Sequence, residues 1–248
     1  MNKMIDYFKA LGCEFVNLRE NRGFIWSNST IKEFYFNCFF YPDFSLYETV
    51  ERYNLEKFTH KMIEKKNQFG VWSSGENNID EIVKPYLLNR QQSTVSYLEL
   101  DLLGFEKAQH KEMFSIVQVC NAELLTLWCD VFQSSFRISD LSKTVLYSVL
   151  FSKLSSKTLH HYLLFKGNTP SSALTTLSLK NDEFGIYNAA TMDSEKGIGA
   201  MTYLVQRVIE KNSNKKCYVF SKKIRNNLFS DIGFVKKHTY SLDCFSSL

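Results

Sequence analysis

Residues 184–202, with the sequence FGIYNAATMDSEKGIGAMT, change character twice along their length. They begin as an apolar run typical of a buried strand, pass through a short charged turn, and reach Gly197 and Gly199 at the head of a helical pattern that continues to Ile209. Glycine leaves the backbone accessible because it has no Cβ, and the free N–H groups of a first helical turn point at an anion placed there. A strand, a tight turn and a helix N-terminus in this order predict a site for a phosphorylated ligand.

The composition predicts a folded protein without a strong charge bias. Aromatic residues make up 15% of the 248 residues and only three residues are proline, whereas disordered segments are poor in aromatics and rich in proline. The net charge of +4 comes from 30 basic and 26 acidic residues, which is too mild for a nucleic-acid binder without a localised patch. One local basic cluster exists, and either a solvated surface or a nucleic-acid or anionic-lipid site explains it: Lys215, Lys216, Lys222, Lys223 and Arg225.

The six cysteines lack the paired spacing of structural zinc sites, and most lie beside apolar neighbours. They predict buried free thiols in a reducing compartment and no bound metal. Charged residues interrupt the apolar ones near the N-terminus, unlike a signal-peptide core, and no apolar run is long enough to span a bilayer. We therefore expect a cytoplasmic protein with no membrane partner, although a signal for specialised secretion would escape this test.

Apolar spacing and turn residues predict a definite order of elements in the second half of the chain. A helix capped by Asn121 and a helix opened by Asp140 follow a first strand, and Gly233 stops a short helix before the last strand. The predicted strands are 114–120, 160–165, 173–179, 184–192, 217–220 and 234–242, and the glycines open the helix between the fourth and the fifth of them.

The first half of the chain predicts a shortened version of the same order. Its elements are a helix at 2–11, short strands at 15–18 and 23–26, an aromatic strand at 34–41, a helix at 46–66, a strand at 69–75, a helix at 79–88 and a strand at 94–102. A glycine and a cluster of charges interrupt the apolar chain at 103–111, which makes this segment the best candidate for a domain boundary.

The order of elements over residues 112–242 resembles that of the GCN5-related N-acetyltransferases. That family carries a basic residue or Gln, two variable residues, Gly, any residue and then Gly or Ala after its fourth strand, and a Tyr followed by Gly-Phe near its end. Here KGIGA at 196–200 directly follows the strand IYNAAT at 186–191, and LFSDIGF stands at 228–234. The resemblance implies an α/β (α+β) fold with two domains, each a mixed, mostly antiparallel twisted sheet flanked by helices. Residues 1–108 would be a degenerate copy without the cofactor motif, and 109–248 the acetyltransferase domain.

The resemblance also implies acetyl-coenzyme A as the co-substrate. The pyrophosphate would bind at the glycine turn, and in this family the fourth and fifth strands splay apart so that the thioester lies between them. The pantetheine amides would pair with the backbone of the fourth strand. The implied cofactor-binding residues are Ala190, Thr191, Met192, Lys196, Gly197, Ile198, Gly199, Ala200, Asn227 and Phe229.

Two positions depart from the family's pattern. Ser194 stands where the first basic residue of the turn is expected, so one pyrophosphate contact is lost or is made by Lys196. Phe229 stands where a Tyr commonly protonates the leaving thiolate, although a coenzyme A thiolate can leave without an acid. In addition, the carboxylate of Glu195 in the same turn would repel a phosphate.

The catalytic candidates are residues that could move a proton near the thioester. They are Tyr187, Asn188 and Ser230, with a core or surface role as the alternative for each. His160 and His161, two strands earlier, could supply a base or could be structural residues.

These observations predict an N-acetyltransferase that moves an acetyl group from acetyl-coenzyme A to a primary amine by direct attack in a ternary complex. The acceptor would be a small-molecule or peptide amine, and nucleic acid is not an expected partner. The alternative is a catalytically weak or inactive module of the same fold that binds acyl-coenzyme A or a protein partner. The sequence leaves the acceptor and the oligomeric state open.

Overall fold

The computed structural model describes residues 2–12, 14–17, 25–28, 37–41, 48–74, 83–86, 88–105, 107–109, 111–222 and 226–246. Contacts divide the chain into two compact units, Met1–Val95 with Thr239–Leu248, and Ser96–His238. We call them the first and the second unit. The predicted division at 108/109 concerns two copies of one fold, and it stays a prediction.

The described chain contains both helices and strands, in single elements and in short runs of one type. In chain order they are α1 (Asn2–Leu11), β1 (Glu14–Asn17), β2 (Ile25–Asn28), β3 (Cys38–Tyr41), α2 (Glu48–Glu64), β4 (Phe69–Ser73), β5 (Asn89–Leu100), β6 (Phe114–Gln118), α3 (Ala122–Phe136), α4 (Asp140–Phe151), β7 (Leu159–Lys166), β8 (Thr169–Leu179), β9 (Glu183–Thr191), α5 (Ala200–Lys211), β10 (Lys216–Lys222), α6 (Asn226–Ser230) and β11 (Phe234–Ser246). Both β5 and β11 contribute residues to each unit.

The first unit orders its strands β1-β2-β3-β4-β11. Strands β3 and β4 are parallel and are joined through α2, whereas β4 pairs with β11 in the antiparallel sense. Helix α2 places Leu55, Phe58 and Met62 on one face because they are three and four residues apart. These side chains are fully buried, and the ring of Phe58 meets that of Phe69 edge-on at 5.4 Å between centroids. An aromatic core therefore holds α2 against this sheet.

The second unit orders its strands β5-β10-β9-β8-β7-β6. The pairs from β6 to β9 are antiparallel, and β9 and β10 are parallel with α5 between them in the chain. Successive strand residues point to opposite faces. Trp128 of α3 accordingly contacts His161 on one face, with 5.2 Å between ring centroids, while Tyr162 faces the core that includes α5.

Side chains cap two of these helices as their sequences predict. Asn121 accepts a hydrogen bond from the Leu124 amide at 2.9 Å, which starts α3. Ser139 accepts from the Ser142 amide at 3.1 Å, so this residue caps α4 and Asp140 is its first helical residue. Gly233 ends the turn after α6 with a φ of 107°, a conformation that glycine tolerates.

The mixed sheets flanked by helices confirm the predicted α+β class, but several element bounds differ from the predictions. Strand β5 begins at Asn89 instead of 94, because its exposed polar start carries no apolar signal. Strand β11 runs on to Ser246 because it pairs with β4, a distant segment. Within the helix predicted at 79–88, Val83 is α-helical and Lys84–Tyr86 form a 3₁₀ turn, where Pro85 removes a backbone donor. Residues 75–82 and 87 lie outside the described part, as do 34–36 of the predicted aromatic strand.

Free thiols are mostly buried, as predicted. Cys38, Cys129, Cys217 and Cys244 are buried and Cys120 is exposed, while Cys13 lies outside the described residues. Burial raises the pKa of the Cys129 thiol to about 12, which keeps it protonated and unreactive. Within the part of the chain that the structure describes, no helix is long and apolar enough to cross a membrane.

Candidate functional site

Strands β9 and β10 pair over only part of their length. The parallel register joins Glu183–Ile186 to Lys216–Val219, and both strands then continue, to Thr191 and to Lys222. The register ends at Ile186, and among the described residues positions 189–191 of β9 have no register partner on β10. We call this unpaired stretch the β9/β10 gap. Its edge offers backbone donors and acceptors to an extended ligand, as an open sheet edge does.

A β-bulge at Asn188 lies at the start of the gap. The register with β8 changes from Tyr187↔Thr175 to Ala190↔Ala173, so two residues of β9 stand opposite one residue of β8. Asn188 has a φ of 52°, in the left-handed region that Asn tolerates better than most residues. The bulge changes which side chains face each side of the sheet beyond Tyr187. It therefore marks the point at which β9 leaves its regular path.

The backbone beyond the bulge is held on the β8 side. The Met192 amide donates to the Ser171 carbonyl at 3.0 Å, and the Thr191 hydroxyl lies 3.0 Å from that of Ser172. Because alternate residues of an antiparallel strand direct both backbone groups to the same neighbour, the N–H and C=O of Thr191 face the gap. Of the three predicted positions Ala190, Thr191 and Met192, Met192 therefore has its backbone N–H bonded within the sheet, and this donor is not open to a ligand.

The glycine turn follows β9 directly and opens α5, as predicted. A 3₁₀ turn spans Asp193–Glu195, and Gly197 and Gly199 have φ values of 84° and 78°, which any other residue would adopt only with strain. A Cβ built on Gly197 would meet nothing within 4 Å, and one built on Gly199 would meet Lys111 Nζ at 3.4 Å. Gly199 is the N-cap of α5 and supplies no side chain to the first-turn amides. Open space above free helical N–H groups fits a phosphate.

Charged side chains around the turn form two ion pairs. Lys196 pairs with Asp193, and the hydrogen bond from Lys196 holds the pKa of this carboxyl below its usual value. Glu195 pairs with Lys166, with 3.2 Å between Nζ and Oε2. The ammonium compensates the negative charge of Glu195 and reduces its repulsion of an anion. Sequence reasoning missed Lys111, because no local pattern connects it with the distant glycines.

The predicted residue Tyr187 is the first residue of β9 beyond the paired stretch, and it is buried. Its hydroxyl lies 2.9 Å from that of Tyr218 on β10. Gly185 makes room for both rings, since a Cβ at this position would lie 2.6 Å from ring carbons of Tyr187 and Tyr218. Glycine is therefore required at 185 for its size, not for a positive φ.

A third tyrosine, Tyr97, extends this group of side chains onto β5. The ring of Tyr97 lies 5.9 Å from that of Tyr218, and its hydroxyl donates to Glu99 Oε1 at 2.5 Å. Burial, followed by this bond to Glu99, raises the pKa of Tyr97 far above its ordinary value, so the phenol keeps its proton. No local pattern indicates Tyr218, Tyr97 or Glu99 as site residues, because strand pairing alone brings them beside Tyr187.

The predicted residues near the end of the second unit lie on α6. Phe229 is buried at 4% exposure and meets Phe234 edge-on at 5.5 Å, within the core cluster of this unit. Asn227 and Ser230 are exposed. Phe229 has no proton to give, and the roles of Asn227 in cofactor binding and of Ser230 in catalysis stay predictions.

The histidines of β7 differ in their surroundings. His161 is 1% exposed, and its Nδ1 lies 2.8 Å from the Thr175 hydroxyl. Burial, with a smaller contribution from His160, lowers the pKa of His161 to about 4. His160 is half-buried, and burial also lowers its pKa. Both are therefore neutral near neutral pH, and the enclosed position of His161 favours the structural role.

Two further predicted features concern ions. Lys215 donates to the Ser178 hydroxyl at 3.4 Å, Lys216 is exposed and Lys222 is half-buried, while Lys223 and Arg225 lie outside the described residues. Among the described side chains, no three His, Cys, Asp or Glu residues meet in a group that could hold a metal ion.

Comparison with known proteins relates this architecture to solved structures. No protein-family model matches the sequence, and no curated protein matches it. A functionally unknown conserved protein from Staphylococcus epidermidis superposes with a TM-score of 0.72 at 9% identity, covering 97% of this chain and 98% of the other. A GCN5-related N-acetyltransferase from Kribbella flavida gives 0.65 at 8% identity, with 99% and 94% covered. A tandem GNAT protein from the clavulanic acid biosynthesis pathway gives 0.56 at 7% identity, with 89% and 77% covered.

At sequence identities this low, structural similarity shows a shared fold and does not show a shared substrate. The first of these proteins has no assigned function, whereas the second is described as an acetyltransferase. The resemblance predicted from the glycine turn is confirmed at the level of architecture: the chain has the fold of the GCN5-related N-acetyltransferases.

Proposed function

We propose that this chain is an acyl-coenzyme A-dependent N-acetyltransferase, which binds acetyl-coenzyme A in its second unit and transfers the acetyl group to a primary amine. The observation that carries the proposal is the open glycine turn at the end of the β9/β10 gap. Gly197 and Gly199 leave the first-turn amides of α5 uncovered, while β9 presents backbone groups that β10 does not pair. An anionic group and an extended amide chain, which coenzyme A combines, match these two features.

The binding roles follow from the chemistry of each segment. The amides of Gly197, Ile198, Gly199 and Ala200 bind the pyrophosphate, aided by the dipole of α5. The N–H and C=O of Thr191 pair with the pantetheine amides, and the small side chain of Ala190 leaves space beside them. Lys196 reaches the phosphates only by loosening its pair with Asp193.

The chemistry that acetyl-coenzyme A supplies is an acyl carbon activated as a thioester. The neutral acceptor amine attacks this carbon, the C–S bond breaks, and the amine loses one proton. In this chain Tyr187, the first residue of β9 beyond the paired stretch, and Tyr218 bring their hydroxyls within 2.9 Å of each other, and we assign them the relay of that proton. Asn188 directs β9 into the gap through its left-handed conformation.

A titration calorimetry experiment tests the binding step. Wild-type protein should bind coenzyme A, and Gly199→Glu should weaken binding about a hundredfold, because juxtaposed like charges cost several kcal/mol. Gly167→Glu is the matched control, since Gly167 also has a positive φ, 57°, with nothing within 4 Å of its Cβ, but lies in the β7–β8 turn. Equal affinities of wild type and Gly199→Glu would end the proposal.

Coenzyme A release with a panel of amines tests the transfer step. Tyr187→Phe should lower kcat about tenfold and leave the affinity for coenzyme A unchanged, as expected when a proton-transfer group is removed. Tyr162→Phe removes a hydroxyl from the opposite face of the same sheet and should leave kcat unchanged. Equal turnover of Tyr187→Phe and wild type would remove Tyr187 from the mechanism.

One observation favours a second candidate function: Phe229 is a buried phenylalanine at the position where a proton-donating hydroxyl is expected. Under this candidate the second unit binds acyl-coenzyme A, or a protein partner, without efficient transfer. Tight coenzyme A binding with no release from polyamines, aminoglycosides, amino acids or peptides would favour it.

We also propose that residues 1–108 are a degenerate copy of the same fold and that residues 109–248 form the acetyltransferase domain. The tandem GNAT protein among the similar structures supports this interpretation. A coenzyme A-bound crystal structure with ligand on residues 1–108 would contradict it.

A further inference from the structure

A lysine from a distant part of the chain stands at the glycine turn. Lys111 belongs to the segment before β6, and its Nζ lies 3.4 Å from the position of a Cβ on Gly199. It therefore occupies the margin of the open space above the first turn of α5. Ser194, where the family's motif carries a basic residue, has no charge to offer.

The charge of Lys111 is not balanced by a carboxylate. Lys196 pairs with Asp193 and Lys166 with Glu195, whereas no described carboxylate forms an ion pair with Lys111. The positive end of a helix dipole disfavours a nearby ammonium and favours an anion. An ammonium held at this place leaves the turn with one uncompensated positive charge, which a diphosphate would neutralise.

An aromatic contact and a backbone turn hold Lys111 in place. Its Nζ lies 5.7 Å from the ring centroid of Phe114, within reach of a cation–π contact, and the Phe114 amide donates to the Lys111 carbonyl at 2.9 Å. Phe114 is itself buried and packs on Tyr203 of α5 at 5.4 Å. Upstream, the Ala108 amide donates to Glu210 Oε1 of α5 at 2.8 Å. The segment is thus tied to the same helix whose N-terminus Lys111 approaches.

We propose that Lys111 binds the diphosphate of coenzyme A at the glycine turn, in place of the basic residue that Ser194 replaces. This inference rests on the proposed function and assigns one ligand of the same site. The lysine supplies its charge from outside the β9–α5 turn, and it leaves the first-turn amides free to donate to the same phosphates.

Calorimetric affinities for coenzyme A and for dephospho-coenzyme A test the proposal at low salt. Lys111→Gln should weaken both ligands by the same factor of about ten, the effect of losing one charge-assisted hydrogen bond. Lys111→Arg should keep most of the affinity. Lys107→Gln is the matched control, because Lys107 is exposed, lies in the same segment and carries the same charge. Its affinities should stay within about twofold of wild type, because a solvated surface charge contributes little to an ionic contact.

Each other outcome has a definite meaning. If Lys111→Gln and Lys107→Gln weaken coenzyme A binding equally, or if neither weakens it, the assignment of Lys111 is overturned. The proposed function still stands in that case, provided that the wild-type protein binds coenzyme A. If Lys111→Gln weakens the binding of coenzyme A but not of dephospho-coenzyme A, Lys111 does not bind the diphosphate, and the 3′-phosphate is its partner instead. If wild type binds no coenzyme A, or if Gly199→Glu changes nothing, the proposed function fails and this inference with it.

Discussion

The buried histidine of β7 should make the protein less stable in mild acid. His161 is 1% exposed, its Nδ1 contacts the Thr175 hydroxyl, and its Nε2 has no hydrogen-bond partner among the described residues. Burial and the nearby His160 lower its pKa from 6.5 to about 4. The unfolded chain therefore binds a proton on this imidazole at a pH where the folded protein does not. Stability is fully present above the unfolded pKa and falls as pH decreases through this window.

The size of the loss follows from the two pKa values. One unit of pKa difference corresponds to about 1.4 kcal/mol, so His161 alone should cost about 2.5 kcal/mol of unfolding free energy between about pH 7 and about pH 4.5. Below a pH of about 4 both states are protonated and this contribution levels off. Carboxylates also titrate in this range, and a variant that lacks only this imidazole separates its share from theirs.

Urea unfolding of wild type and His161→Gln at the two pH values measures that share. The variant should lose about 2.5 kcal/mol less than wild type on acidification, whatever its stability at neutral pH. His238→Gln, which removes an exposed histidine of β11, should follow the wild-type profile. Parallel losses in wild type and His161→Gln, or an imidazole that NMR shows to titrate near its ordinary pKa, would refute the reasoning.

Three further predictions concern stability and are checked by urea unfolding, the first also by calorimetry with coenzyme A. Asn188→Val should cost about 1–3 kcal/mol and weaken coenzyme A binding, because a β-branched residue strains at a φ of 52°, whereas Asn188→Gly should do neither. Gly233→Ala should cost about 2 kcal/mol or more, since its Cβ would lie 2.7 Å from the Gly104 carbonyl oxygen at a φ of 107°. Arg90→Met should cost about 3–5 kcal/mol, because Arg90 Nε and Nη2 lie 2.8 and 2.7 Å from Oδ1 of the fully buried Asp243. The first estimate is contradicted if Asn188→Val is as stable as Asn188→Gly, and the second if Gly233→Ala is as stable as wild type. A loss below about 1 kcal/mol for Arg90→Met contradicts the third.

The fold could be predicted where its cause is local. The cap at Asn121, the apolar face of α2 and the glycines before α5 each act within a few residues, and each lies in the element expected from the sequence. The bounds of β5 and β11 could not be predicted, because pairing with distant strands extends them past their apolar stretches. Single-sequence patterns do not contain that information.

The candidate site divides in the same way. The turn and its left-handed glycines were visible in the sequence, whereas Lys111, Tyr218 and the Tyr97–Glu99 pair were not, since only the folded sheet brings them near. The bulge at Asn188 was also hidden, because the surrounding apolar run is typical of a regular strand.

The two departures from the family's pattern differ in how other residues can compensate for them. A missing positive charge can be supplied from any direction, because Coulomb attraction needs no particular bond geometry, and Lys111 reaches the turn from outside the motif. A missing proton donor is harder to replace, since proton transfer needs a hydroxyl within hydrogen-bond reach of the departing sulfur. Phe229 is buried against Phe234 and carries no such group at its own position. Binding of coenzyme A should therefore be near normal for this fold, while transfer depends on how readily the thiolate leaves unprotonated, so kcat should be more sensitive to the acceptor amine than the affinity for coenzyme A is.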